Sequence, residues 1–260
     1  MSSRTPFKPD STFVTQVRPA VNLEARKGGA KPSLLILHYT GMSSAAKAID
    51  WLASAESKVS CHYVIDEVGI ITQMVPEAKR AWHAGVSCWR GETDINSHSI
   101  GIEIQNPGHQ HGYPDFPASQ MKAVLKLGKD IVSRHRLLPE SVLAHSDVAP
   151  ERKIDPGEKF DWAMLARAGL GIWVRPSPLR AGDEDVLSTD EPDGVRNIQR
   201  MLSAFGYDVP ETGVYDAKTA KVVRAFQLHF RPRRVDGRLD RSTGLTLQRL
   251  LAVTKTKALV

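Results

Sequence analysis

An α/β domain built on one mixed central sheet flanked by helices, followed by a small all-α domain of three helices, is the fold that this sequence predicts. Three observations predict it. Apolar runs of strand length alternate with helix-period segments from residue 34 to about residue 173. The composition then shifts to Pro, Gly and acidic residues between Trp173 and Glu191, which marks a linker. Beyond it, Gly213-Val214-Tyr215-Asp216 is echoed by Gly237-Arg238-Leu239-Asp240, each placing an Asp at the N-cap of a helix. The expected division is residues 1–177 for the larger domain, 178–191 for the linker and 192–260 for the smaller domain.

Residues 1–31 are polar and read as an arm wrapping the larger domain. Leu34-Leu35-Ile36-Leu37 is continuously apolar, as a strand buried on both faces would be, and it delivers His38 at its end. Thr40-Gly41 breaks it, and Ser43 or Ser44 caps a helix running to about Ala55. Residues 61–65 and 70–75 form the arms of a hairpin turning at 66–69. Ala81-Trp82-His83-Ala84-Gly85 is a loop. In the strand at 99–105, Ile100, Ile102 and Ile104 share one face and Gly101, Glu103 and Gln105 the other, so Glu103 faces either solvent or a cleft. A helix begins near Pro117, with Met121, Val124, Leu125, Gly128, Ile131, Val132 and His135 at helical spacing on one face. Residues 142–145 are a strand ending at His145, and 160–167 a short helix. In the smaller domain, Val195, Ile198, Leu202 and Phe205 form the inward stripe of the first helix, closed by Gly206.

Composition bounds the function classes. The hydrophobic fraction of 41% over 260 residues supports a real core and excludes a disordered chain. No apolar run is long enough to span a bilayer. Met1 to Asp10 lack the apolar segment of a secretory signal, so a cytoplasmic protein is expected, with the periplasm as the alternative. Two cysteines, Cys61 and Cys88, are too few for a disulfide scaffold and fit unpaired thiols. The net charge of +6 suits a polyanion, either nucleic acid or a carboxylate-rich polymer, and no nucleic-acid motif accompanies it.

The chemistry gathers at His145-Ser146-Asp147-Val148-Ala149-Pro150-Glu151-Arg152-Lys153-Ile154-Asp155-Pro156-Gly157. It offers an imidazole on a rigid element and, after a Pro-bounded loop, a carboxylate at Asp155. His38 supplies a third donor. Three ligands and an open position are what a hydrolytic zinc site needs. Glu103 could move a proton to and from water and a leaving amine, and Lys153 could stabilise an oxyanion. Each residue also has a bland reading: packed histidines, a turn aspartate, a surface lysine, a solvated strand glutamate. His62 suits a core or supporting place, and His83 either a cleft wall or a structural one.

Five blocks in order carry a resemblance: Leu37-His38-Tyr39-Thr40, Ser60-Cys61-His62-Tyr63-Val64-Ile65, Ala81-Trp82-His83-Ala84-Gly85, Ser99-Ile100-Gly101-Ile102-Glu103-Ile104, and the stretch from His145 to Gly157. Over residues 31–173 the chain closely resembles the type-2 zinc N-acetylmuramoyl-L-alanine amidases, to which the peptidoglycan recognition proteins are related. The resemblance implies one catalytic zinc ion held by His38, His145 and Asp155, with Glu103 as the acidic catalytic residue and Lys153 beside the third ligand. It implies substrate contacts from Trp82, His83 and Asn106, and a peptidoglycan or muropeptide substrate cut between the lactyl group of N-acetylmuramic acid and L-alanine. A non-catalytic peptidoglycan receptor on the same fold is the alternative. The C-terminal segment resembles a three-helix peptidoglycan-binding domain, expected to act as a tethered module. Its basic stretch at 230–237 forms either a wall-binding groove or a solvated loop. A monomer is expected, with no nucleic acid as partner and no membrane span.

Overall fold

The computed structural model describes residues 7–182 and 192–257; most of the expected linker therefore lies outside the described residues, as do the first six residues of the arm. The strands are β1 (Gln16–Val17), β2 (Leu23–Ala25), β3 (Leu34–Tyr39), β4 (Tyr63–Ile65), β5 (Ile71–Gln73), β6 (Lys79–Ala81), β7 (Ser99–Ile104) and β8 (Val142–Ala144). The helices are α1 (Ala45–Ala53), α2 (Ile95–His98), α3 (Ala118–His135), α4 (His145–Val148), α5 (Trp162–Arg167), α6 (Pro192–Phe205), α7 (Ala217–Phe230) and α8 (Arg241–Lys257).

Six strands form one mixed sheet in the order β1-β5-β4-β7-β3-β8, and β2 pairs with β6 in a separate ribbon. The central pairs β3–β7, β3–β8 and β4–β7 are parallel, and the hairpin β4–β5 is antiparallel. The arm thus contributes strands at both ribbon and sheet edge, which its polar sequence does not announce.

Strand alternation decides what each face carries. Leu35 and Leu37 of β3 and Ile100, Ile102 and Ile104 of β7 pack with Val124, Leu127 and Ile131 of α3 and with Leu165 of α5. Leu34 and Ile36 point to the opposite face, as His38 must. Because Leu34 registers with Ser99, Ile36 with Gly101 and His38 with Glu103, that face also carries Ser99, Gly101 and Glu103. One face is therefore covered by α3 and α5, and the other carries His38, Ser99 and Glu103 beside the apolar Leu34 and Ile36.

Helix starts follow their caps. Ser44 Oγ accepts from Lys47 N at 3.3 Å, and Asp216 and Asp240 accept from Thr219 N at 2.8 Å and Thr243 N at 2.7 Å. The repeat extends into the core of the small domain. Gln199 accepts from Gly213 N and donates to Thr219 Oγ1, and Gln227 accepts from Gly237 N and donates to Thr243 Oγ1.

The small domain is seated on the larger one. Leu34, Ile36, Trp89, Leu143, Val148 and Ala149 share a continuous apolar cluster with Ile198, Leu202, Phe205, Phe226 and Phe230. Trp89 meets Phe205 and Tyr207 edge-on, at 5.5 and 5.1 Å between ring centroids. A Cβ on Gly206 would lie 2.6 Å from the Trp89 indole, so the close approach requires glycine there. The expectation of a tethered module gives way to a docked one, because the apolar faces of α6 and α7 bury against the larger domain. In the basic stretch, Arg231 turns inward and is bonded to Asp240 and Thr243, each at 2.8 Å, so burial withdraws it from any wall-binding groove. Among the described residues, no helix is long and apolar enough to cross a membrane.

Candidate metal centre and active-site cleft

His38 stands near the C-terminal end of β3, His145 opens α4 directly after β8, and Asp155 lies on the following loop. A backbone bond from Ser146 N to Asp155 O, 3.0 Å, folds that loop back beside His145. The three donor atoms converge: His38 Nδ1 to His145 Nδ1 is 2.9 Å, His145 Nδ1 to Asp155 Oδ2 is 3.0 Å, and His38 Nδ1 to Asp155 Oδ2 is 3.3 Å. All three residues are buried. A tetrahedral ion with ligands at about 2.0–2.1 Å wants donors roughly 3.3 Å apart, so the triangle needs to open by only a few tenths of an ångström. Among the described residues this is the one cluster of three such donors.

The hydrogen-bond network leaves both imidazoles with a lone pair on the converging nitrogen. His145 Nε2 donates to Ala84 O at 3.2 Å, which leaves Nδ1 free. For His38 the chain of bonds is longer. Ser99 Oγ donates to Ile95 O at 2.6 Å and so accepts from His83 Nε2 at 3.1 Å. His83 Nδ1 is then an acceptor, and His38 Nε2 donates to it at 3.0 Å. His38 Nδ1 is left as the acceptor that faces His145 and Asp155.

Electrostatics agree with a cation-seeking site. Burial pulls His38 down to about 4, and the neighbouring His145 adds to the effect. Burial and then His38 also keep His83 well below the ordinary imidazole range. Burial alone would raise Asp155, but His145 and His38 outweigh it and hold the carboxyl far below its usual range. Burial pushes Glu103 well above the carboxylate range; Asp155 adds to this and Lys153 opposes it. Glu103 Oε2 is buried with no hydrogen-bond partner among the described residues. Two imidazoles whose converging nitrogens are free to accept, a firmly ionised carboxylate and an unpartnered acid beside them suit a divalent ion and a water molecule.

The site opens into a cavity of about 500 Å³. Met42, Trp51, Leu52 and Val59 form an apolar wall, Tyr39 and the loop 107–111 form another, and Trp82, Glu103, Arg152 and Lys153 complete the lining. His83 reaches the cavity, but both its ring nitrogens are engaged by His38 and Ser99. Asn106 does not line it. Its amide is held within its own loop, donating to Pro114 O and accepting from Gly108 N, each at 2.9 Å.

An amidase family model, described as N-acetylmuramoyl-L-alanine amidase, matches residues 28–158. The chain is also 36% identical over 246 residues to N-acetylmuramoyl-L-alanine amidase AmiD of Escherichia coli strain K12, covering 88% of this chain and 85% of that one. The chain belongs to the N-acetylmuramoyl-L-alanine amidase family. A second model, for a peptidoglycan binding domain, matches residues 191–247. The enzyme is 33% identical to 1,6-anhydro-N-acetylmuramyl-L-alanine amidase AmpD of Citrobacter freundii, over 60% of this chain and 91% of that one. The solved complex of E. coli AmiD with anhydro-N-acetylmuramic acid-L-Ala-D-gamma-Glu-L-Lys matches with a TM-score of 0.73 at 34% identity, covering 88% of this chain and 92% of that one. AmpDh3 of Pseudomonas aeruginosa matches with the same TM-score and identity, over 88% and 95% of the two chains.

Several residues of this amidase site are not apparent in the sequence. Arg152 donates through Nε to Val86 O at 2.8 Å and through Nη2 to Ala84 O, the carbonyl that also receives His145 Nε2. His109 links Tyr39, at 3.1 Å, to Glu158, at 2.9 Å, and stacks on Tyr113 at the cavity edge. Ser99 is the one with a signal: it shares the alternating face of Gly101 and Glu103.

Proposed function

We propose that this N-acetylmuramoyl-L-alanine amidase uses one zinc ion, held by His38, His145 and Asp155, to hydrolyse the amide between the lactyl group of N-acetylmuramic acid and L-alanine in a muropeptide or peptidoglycan. The convergence of two Nδ1 lone pairs and one carboxylate oxygen within 3.3 Å of one another carries the metal assignment. Zinc in that seat supplies Lewis acidity and lowers the pKa of water toward about 7. A full donor set with Glu103 beside it favours an enzyme over a receptor that only binds muropeptide. The anhydromuropeptide named as substrate in the AmiD complex supports this substrate class.

The chain's own residues then divide the work. Glu103 takes a proton from the attacking water at its unpartnered Oε2. The water oxygen bonds to the lactyl carbonyl carbon, and the Lys153 ammonium stabilises the negative charge that develops on the carbonyl oxygen. The carbon–nitrogen bond breaks as Glu103 returns the proton to the alanine nitrogen, leaving a lactyl carboxylate and a free amine. Trp82 and the apolar wall of Met42, Trp51 and Leu52 line the cleft in which the amide lies.

Mass analysis of products from a defined anhydromuropeptide tests the reading. Chelated protein is expected to be inactive and zinc to restore cleavage between the lactyl group and L-alanine. Full activity in metal-free protein, or cleavage at another bond, would refute it.

A further inference from the structure

Asp147 sits two residues beyond the ligand His145 and is fully buried. Its Oδ2 accepts from Ala144 N at 2.8 Å, which fixes the corner where β8 passes into α4. Two further bonds reach the same carboxylate from the small domain. Tyr207 donates its hydroxyl to Oδ1 at 2.5 Å, and His229 Nδ1 donates to Oδ2 at 2.7 Å. These partners lie 60 and 82 residues away in the chain. His229 is clamped between Trp162 and Phe230, with ring centroids 3.7 and 3.9 Å away, and Tyr207 packs edge-on against Trp89.

α4 has only four residues, too few to hold itself by helix cooperativity. Its first residue is His145. Whatever holds the corner therefore sets the direction of that imidazole, and the corner is held by a carboxylate that the small domain grips. The contact is polar and buried, so it specifies a position in a way that the surrounding apolar contacts do not.

We propose that the C-terminal domain is a structural part of the metal centre: Tyr207 and His229 are positioning residues that act through Asp147 on the ligand His145. The domain's place is then not limited to holding the wall polymer, because it also fixes the corner that carries the ligand His145. This rests on the metal-site reading above.

The test uses the full chain and the variants Tyr207→Phe and Tyr207→Phe/His229→Phe, which keep the aromatic packing and remove the donors. Zinc affinity is measured by competition with a chromophoric chelator, ligand geometry by the visible spectrum of cobalt-loaded protein, and kcat and KM on a small soluble muropeptide. The expected result is a loss of about 10–100-fold in zinc affinity, an altered cobalt spectrum, and a fall in kcat with KM unchanged. Wild-type affinity, spectrum and kcat in the folded variants would overturn the proposal. If the double variant does not fold, Tyr207→Phe, which removes a single oxygen, decides the matter by the same readouts. Failure of the wild-type chain to bind zinc would sink the metal reading itself, a different outcome from variants that match a zinc-binding wild type.

Discussion

Gly101→Ala is the sharpest probe of how the site is held. Gly101 lies on β7 directly under His83. A Cβ there would sit 2.6 Å from His83 Cγ and Nδ1 and 2.8 Å from Cδ2. Ordinary carbon contacts begin at about 3.5 Å, so the ring must retreat by roughly 1 Å. It has little freedom to do so, because His83 N and Ala84 N are both anchored on Asn96 Oδ1, at 3.0 and 2.8 Å. A shift of that size is large enough to break the 3.0 Å bond from His38 Nε2 to His83 Nδ1. Overpacking costs about 1–3 kcal/mol, and a buried His38 N–H left without an acceptor costs another 1–3 kcal/mol or so. The loss of a supporting hydrogen bond to a ligand histidine lowers metal affinity by about 10–100-fold. Thermal unfolding with and without chelator reads the first effect, and chelator competition reads the second. A folded Gly101→Ala protein with wild-type zinc affinity would refute the argument that His83 orients His38.

The other predictions concern the proton and the histidines. Glu103→Gln is expected to keep zinc and to lose about two to four orders of magnitude in turnover on soluble muropeptide, and near-normal rates would remove Glu103 as the base. Acid should destabilise the metal-free protein from about pH 6.5 downward through its buried His62. Burial, with Arg26 adding to it, lowers His62 from 6.5 to about 3, so the unfolded chain takes up a proton that the folded one refuses. Stability is then complete above about pH 6.5 and falls as the pH drops toward about 3. Between about pH 6.5 and about pH 4.5 the loss from His62 alone is about 2 kcal/mol. Urea unfolding that is flat across that window would contradict it. The buried Glu77 acts lower on the scale. Arg134, His135 and Tyr63 outweigh its burial and hold it at about 2, so its contribution is present above about pH 4.5 and is lost toward about pH 2.

The alternation of residues 99–104 shows how far pattern reaches. Period two alone separates Ile100, Ile102 and Ile104 from Gly101 and Glu103, and the sheet places the two sets on opposite faces. The same holds for the caps Ser44, Asp216 and Asp240, whose bonds are local and therefore readable. β1, β2 and β6 are two or three residues long and carry no apolar period, so only their pairing reveals them. The side chain of Asn106 bonds within its own loop. An amide side chain looks the same in sequence whether it faces a ligand or its own loop.

From residue order alone come the strand and helix pattern, the repeat of the small domain, and the resemblance that names His38, His145 and Asp155 as ligands and Glu103 as an acid. Tertiary structure alone decides which nitrogen each imidazole leaves open, that Ser99 and His83 settle the tautomer of His38, and that the small domain reaches across to Asp147. The reason is physical. Periodicity and capping are interactions within a few residues, while a hydrogen-bond relay and a domain seat join side chains that only the packed chain brings together.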